Sequence, residues 1–141
     1  MAVYTELSQS DIELILSLYP LSEVLSYEPV SGGKSNTNYK IETPEGTYFL
    51  TIFEETDPEI VPTILNYMKS LYKEGLPTPN IIKKKDDGFL FSIHGQQGCL
   101  QVGFQGHHIT SPHPEQCAQA GELLAHLHTV AHIHEKTLNN P

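Results

Sequence analysis

Residues 37–53 decide most of what this chain can become. Tyr39, Ile41, Tyr48, Leu50 and Ile52 alternate with mostly polar residues on either side of Thr43-Pro-Glu-Gly46. A period of two puts every second side chain on the same face of a strand. Pro and Gly in the connection suit a tight turn. The stretch therefore reads as an antiparallel hairpin with one buried face, residues 37–42 and 47–53. Residues 25–30 form a further strand-like run before it. Between that run and the hairpin lies Ser31-Gly-Gly-Lys-Ser-Asn-Thr-Asn-Tyr39. Two adjacent glycines let a backbone approach a ligand closely and turn N–H groups toward an anion. A Gly-Gly turn by itself is also an ordinary hairpin loop.

Helical patterning flanks this unit. Ser8 and Ser10 are candidate N-caps, Asp11 suits a first turn, and Ile12, Ile15, Leu16 and Tyr19 form one apolar face before Pro20. Asp57-Pro-Glu59 opens a second helix, expected over residues 57–74. Its stripe is Val61, Ile64, Leu65, Met68, Leu71 and Tyr72, and Gly75 is the natural residue after its end. Two more strands are expected at 80–85 and 89–93, joined by Asp86-Asp-Gly88. Another follows at 99–104. Lys83, Lys84 and Lys85 read as a solvated strand end that discourages edge pairing. A long helix from about Glu115 to about His134 carries Cys117, Ala120, Leu124, Leu127 and Ala131 at spacings of three and four, widened by Leu123, Val130 and Ile133. The order implies an α+β arrangement, a mainly antiparallel sheet with a helix on one face. The last helix has no evident partner for both its apolar sides.

Composition narrows the function classes. Eight Lys+Arg against 17 Asp+Glu leave a net charge of −9. That balance argues against the phosphate backbone of nucleic acid and against anionic membranes. No apolar run approaches the ~20 residues that span a bilayer, and the N-terminus has no signal-peptide pattern. Cys99 and Cys117 lack metal-type spacing and read as reduced thiols of a cytoplasmic protein. His128 and His132 stand at i, i+4, but the Glu of a zinc protease is missing between them. Gly106-His-His108 has nothing near it in sequence to complete a metal site. There is no Gly-x-Ser-x-Gly elbow and no Cys in a nucleophile context.

Five segments carry a resemblance. They are Met1-Ala-Val-Tyr-Thr-Glu-Leu-Ser8, Gly32-Gly-Lys-Ser-Asn-Thr-Asn-Tyr39, Gly46-Thr-Tyr-Phe-Leu-Thr-Ile-Phe-Glu54, Gly75-Leu-Pro-Thr-Pro79 and Leu123-Leu-Ala-His-Leu-His128. With them the chain resembles the homoserine kinases of the aminoglycoside phosphotransferase and choline kinase superfamily. The resemblance covers nearly the whole chain but only the front part of the family's length. It implies a protein-kinase-like N-terminal lobe, with an antiparallel sheet of about five strands and one packed helix. A flanking N-terminal helix and a long C-terminal helix complete it. Residues 1–106 would be the nucleotide-binding lobe, and residues 107–141 the hinge exit and first helix of a truncated second lobe.

The same resemblance implies ATP and Mg²⁺ as cofactors, L-homoserine as acceptor and a place in threonine synthesis. Kinase-type folds cover the phosphates of ATP with a Gly-rich loop between strands. Gly32, Gly33, Ser35 and Asn36 would lie there. Residues 101–105, with Gln101, Val102 and Gly103, would be the hinge that meets adenine through backbone groups. Thr51 stands where kinase folds usually carry a third-strand cation. The superfamily's His-x-Asp-x-x-x-x-Asn catalytic loop is absent from these 141 residues. The chain alone is therefore expected to be inactive and to hold nucleotide weakly. Leu, Val and Ile left exposed on the last helix are expected to drive homo-oligomerisation. A non-catalytic nucleotide-binding or self-associating module is the rival reading.

Overall fold

The computed structural model describes residues 5–31, 35–104, 106 and 109–138, the last seven of these in backbone only. The sheet has five antiparallel strands in the order β1-β2-β3-β5-β4. They are β1 (Ser26–Pro29), β2 (Asn36–Thr43), β3 (Gly46–Phe53), β4 (Leu90–Ile93) and β5 (Gln96–Val102). The helices are α1 (Gln9–Ser17), α2 (Val61–Lys73) and α3 (Pro114–Leu138). The α+β, kinase-like lobe expected from the sequence is what forms.

Ser8, not Ser10, caps α1. Its Oγ accepts the Asp11 N–H at 3.2 Å, and the Asp11 carboxylate accepts the Ser8 N–H at 2.9 Å, a reciprocal capping box. The apolar stripe Ile12, Ile15, Leu16 and Tyr19 is wholly buried against Tyr39, Ile41, Leu50, Ile52, Phe91 and Leu100. α1 thus covers the sheet face that the hairpin alternation predicts. The sheet is nevertheless covered on both faces rather than one. From Leu50 to Phe53 every residue of β3 is buried, because α2 packs on the opposite side with Val61 and Leu65 against Phe53 and Cys99. A central strand between two helical layers loses its solvent-exposed side.

α2 begins at Val61, four residues later than expected. Asp57 does form a turn, accepting the Glu59 N–H on its side chain and the Ile60 N–H on its carbonyl. Pro62 has no N–H to continue a helical ladder from that turn, so the regular helix starts beside it. The far end is as expected. Gly75 takes φ +81°, its N–H donates to Tyr72 O, and the Leu76 N–H donates to Leu71 O. This pair of bonds is a Schellman motif. Its apolar contact, Leu71 with Leu76, continues into Leu127 and Val130 of α3. Val130 is therefore buried, against the expectation that α3 exposes it. Leu123 and Leu124 are exposed as expected.

The expected hairpin at Asp86-Asp-Gly88 is a local loop instead, closed by Lys84 N–H to Gly88 O. The hairpin lies one step on, between β4 and β5, at His94 (φ +49°) and Gly95 (φ +81°). Two consecutive left-handed residues are what a two-residue hairpin turn requires. The expected strand over residues 80–85 shrinks to a bridge between Ile81 and Gln101. It is flanked by Ile82 N–H to Leu100 O and Val102 N–H to Asn80 O. The outer edge of β5 is thus divided: β4 takes residues 96–99 and the Asn80 segment takes the rest. Lys83 and Lys84 pair with Asp87 and Asp86 at the surface. Gly98 packs where no side chain fits. A Cβ there would lie 2.3 Å from Phe91 Cζ and 2.7 Å from Thr51 O.

Candidate nucleotide cleft

β1 and β2 stay paired up to the loop between them, where the Val30 N–H donates to Asn38 O at 2.9 Å. Gly32 and Gly33 lie outside the described residues. Ser35 is exposed at the loop's exit, and Asn36 is the first residue of β2. From Asn36 the strand parity puts Asn36 and Asn38 on the α2 face of the sheet. The register Asn38↔Thr51↔Cys99 brings the third and fifth strands into line with them.

Asn36, Asn38, Thr51, Cys99 and Gln101 meet Ile64, Leu65 and Met68 of α2 around a cleft of about 360 Å³, with Pro79 at its side. Three strands are tied across its wall by side chains. Gln101 Nε2 donates to Thr51 Oγ1 at 2.9 Å, and Thr51 Oγ1 donates to Asn38 Oδ1 at 2.7 Å. Asn38 Nδ2 in turn reaches Asn36 O at 3.4 Å. Asn36 Oδ1 is buried and accepts no hydrogen bond.

The cleft is electrically neutral. None of the residues lining it is ionised at neutral pH, since burial pushes the Cys99 thiol up to about 12. Lys69 of α2 lies instead over the Phe89 ring, 3.5 Å from its centroid. Burial and the nearby Lys73 and Lys83 ammonium groups lower its pKa. The donor set does not fit Mg²⁺. The cleft offers amide, hydroxyl and thiol groups but no carboxylate, and among the described residues no cluster of three His, Cys, Asp or Glu exists.

Of the residues singled out in the sequence, Asn36, Thr51 and Gln101 converge here. Val102 and Gly103 do not line the cleft, and their N–H groups already donate to Asn80 O and Thr47 O. Gly103 is small for a packing reason, because a Cβ would come within 2.9 Å of Thr47 O. His107, His108 and Gln105 lie outside the described residues, as does the side chain of His132. Asn38 and Cys99 are wall residues that sequence reading missed. Alternation along β2 marks Asn38 as facing away from Tyr39, but only the β2–β3 register puts it against Thr51.

Several known proteins are similar to this chain. A homoserine kinase of Chelativorans sp. (strain BNC1) is 34% identical over 132 residues, 93% of this chain and 41% of that protein. One from Burkholderia ambifaria (strain MC40-6) is 36% identical over 129 residues, 91% of this chain and 39% of that protein. The chain thus spans about two fifths of the length of the curated relatives it matches. The crystal structure of a spectinomycin phosphotransferase with ADP and spectinomycin superposes with a TM-score of 0.53 at 17% identity, over 74% of this chain and 30% of that one. That likeness concerns the fold. The Phosphotransferase enzyme family pattern matches residues 26–139, and with sheet, helices and cleft in place the chain belongs to that family.

Proposed function

We propose that this chain is the nucleotide-binding lobe of an ATP-dependent kinase whose acceptor is the hydroxyl of L-homoserine. The observation that carries the reading is the convergence of Asn36, Thr51 and Gln101 in one cleft at the exit of the Gly-rich loop. Identity of 34–36% to homoserine kinases across nine tenths of the chain supports the acceptor. On this reading residues 1–106 form the lobe and residues 107–141 lead out of it. Gly32, Gly33, Ser35 and Asn36 lie over the phosphates. With the Val102 and Gly103 N–H groups already engaged, adenine is left to the remaining backbone groups of the hinge. These 141 residues contain no His-x-Asp, so they bind nucleotide without transferring phosphate. A calorimetric titration with ATP tests this. Weak saturable binding, little changed by Mg²⁺, is expected of a neutral cleft without carboxylates. No binding, or tight Mg²⁺-dependent binding, overturns it, as does phosphohomoserine formed by the pure chain.

A second reading is favoured by α3. Leu123 and Leu124 are 42% and 52% exposed and border an apolar groove with Leu76, Pro77 and Leu127. Such a strip associates with another apolar surface. Homo-oligomers at tens of micromolar in light scattering are expected, converted to monomers by Leu124→Glu. A monomer of the unaltered chain rules this out.

A further inference from the structure

Acidic residues outnumber basic ones by 17 to 8 in this chain, yet one cavity is lined by three lysines and no carboxylate. Lys69 and Lys73, one turn apart, line it from α2, and Lys83 lines it from the segment that precedes β4. The cavity measures about 300 Å³ and shares Pro79 with the neutral cleft. The segment carrying Lys83 is pinned to β5, because Asn80 O accepts the Val102 N–H and Ile81 bridges to Gln101. Other described lysines have partners elsewhere. Lys40 reaches Glu28 and Glu42, Lys84 reaches Asp86, and Lys85 donates to Ser17 O. Lys83 meets Asp87 at 2.7 Å, but the two side chains are 56% and 85% exposed, and such a surface pair contributes little. Lys69 and Lys73 have no carboxylate partner among the described residues.

Each of these two has a local reason to be cationic. Lys73 sits in the last turn of α2, where the helix dipole favours a cation, and Lys69 lies over the Phe89 ring. Neither reason accounts for the gathering. Burial, together with the Lys73 and Lys83 ammonium groups, disfavours the charged form of Lys69. An anion among the three removes that repulsion. The last carbonyls of α2 do not stand in its way. Met68 O accepts from Thr78 Oγ1, and the carbonyls of Ser70, Leu71 and Tyr72 accept from the N–H groups of Glu74, Leu76 and Gly75.

We propose that this cavity binds a small phosphate monoester with an apolar body, its phosphate held by Lys69, Lys73 and Lys83. A phosphate ester carries close to two charges at neutral pH and so meets more than one ammonium group, which a carboxylate does not. Lysine engages it as a compact point charge. The Phe89 and Tyr72 rings give the apolar body its surface. The volume lies at the lower end of small-molecule sites, room for about one ring and its phosphate. The proposal stands apart from the nucleotide-binding reading, since it uses none of Asn36, Thr51 and Gln101. Attraction to three lysines is screened by salt, unlike hydrogen bonding in a neutral cleft.

The test is an NMR titration of the full, isotope-labelled chain with phenyl phosphate, and separately with inorganic phosphate and with benzoate. Amide signals of residues 69–73, 80–83 and 89 are expected to shift saturably with phenyl phosphate. Inorganic phosphate, which lacks the ring, and benzoate, which lacks the second charge, should each bind several-fold more weakly. Lys69→Met and Lys73→Gln should each weaken phenyl phosphate roughly tenfold, about the loss of one charged hydrogen bond. Lys85→Gln removes the same charge outside the cavity and should leave the affinity unchanged. Lys73 is exposed, so if Lys69→Met does not fold, Lys73→Gln decides. Absence of saturation overturns the site, as do shifts confined to the cleft residues or an unchanged affinity in Lys73→Gln. An equal loss in Lys85→Gln also overturns it, because net charge alone would then be acting. Inorganic phosphate binding as tightly overturns the apolar body, and benzoate binding as tightly overturns the phosphate.

Discussion

On the α1 side of the sheet, Ile12, Ile15, Leu16 and Tyr19 close over Tyr39, Ile41, Leu50, Ile52 and Leu100, and all of them are buried. On the α2 side the same strands present Asn36, Asn38, Thr51 and Gln101 beside Phe53 and Cys99, and a cleft remains. The two sets come from alternate residues of the same three strands. One parity therefore holds the lobe together, and the other is left to polar work. Substitutions a single residue apart on β3 should have different consequences: Leu50 or Ile52 for stability, Thr51 for the hydrogen-bonded wall.

The largest effect should come from the closed face. Leu50→Ala or Ile52→Ala should lower unfolding free energy by about 2–5 kcal/mol in urea titration, since both are fully buried. Asn38→Ala on the cleft face should lower it far less. Similar losses for the two would end the division of labour between the faces. Next comes Gly98→Ala, expected to cost about 1–3 kcal/mol through overpacking against the Phe91 ring and Thr51 O. Adding Phe91→Leu should recover only part, because the backbone contact persists. Thr51→Val should cost about 1–2 kcal/mol by stranding Gln101 Nε2 and Asn38 Oδ1. Thr51→Ser should recover most of that loss in the same denaturation experiment.

Salt separates the faces in binding. ATP affinity of the unaltered chain should not fall as ionic strength rises. The cleft holds no cation to screen, and screening eases repulsion from a chain of net charge −9. A steep fall would place a lysine at the phosphates. The smallest effect is at the α1 cap. Hydrogen bonds from the Ser8 side chain and backbone lower the Asp11 pKa, with His94 at 3.3 Å adding to it. A carboxyl depressed in the folded state stabilises above its unfolded pKa of about 4, and that stability is lost as pH falls through the folded value. Ser8→Ala should therefore flatten the acid side of the stability profile. An unchanged acid slope would show that the box contributes nothing there.

How far the sequence revealed this depends on the range of the interactions. The α1 cap, the β2–β3 hairpin and the Gly75 terminus are each set within a few residues, and each forms where its local signals stand. The β4–β5 hairpin turns at His94-Gly95 and not at the nearby Asp86-Asp-Gly88 signal, because two turn signals lie close together. Asp87 and His94 both take positive φ, but only His94 is followed by a left-handed glycine. Which turn becomes the hairpin depends on how β5 divides its outer edge, a long-range matter. The cleft wall is longer-range still. Asn38 and Gln101 are separated by 63 positions, and they become neighbours only through Thr51 and the registers of two strand pairs.

The space a side chain at Gly98 would need is taken by the Phe91 ring and by Thr51 O. Were β5 to shift by one position, Gln97 or Cys99 would bring a side chain into the slot beside Thr51 O that tolerates none. That same shift would turn Gln101 to the other face, since strand parity inverts with each step. The glycine serves as the reading frame of the sheet. By resisting a one-residue slip of the fifth strand, it keeps Gln101 on the cleft face.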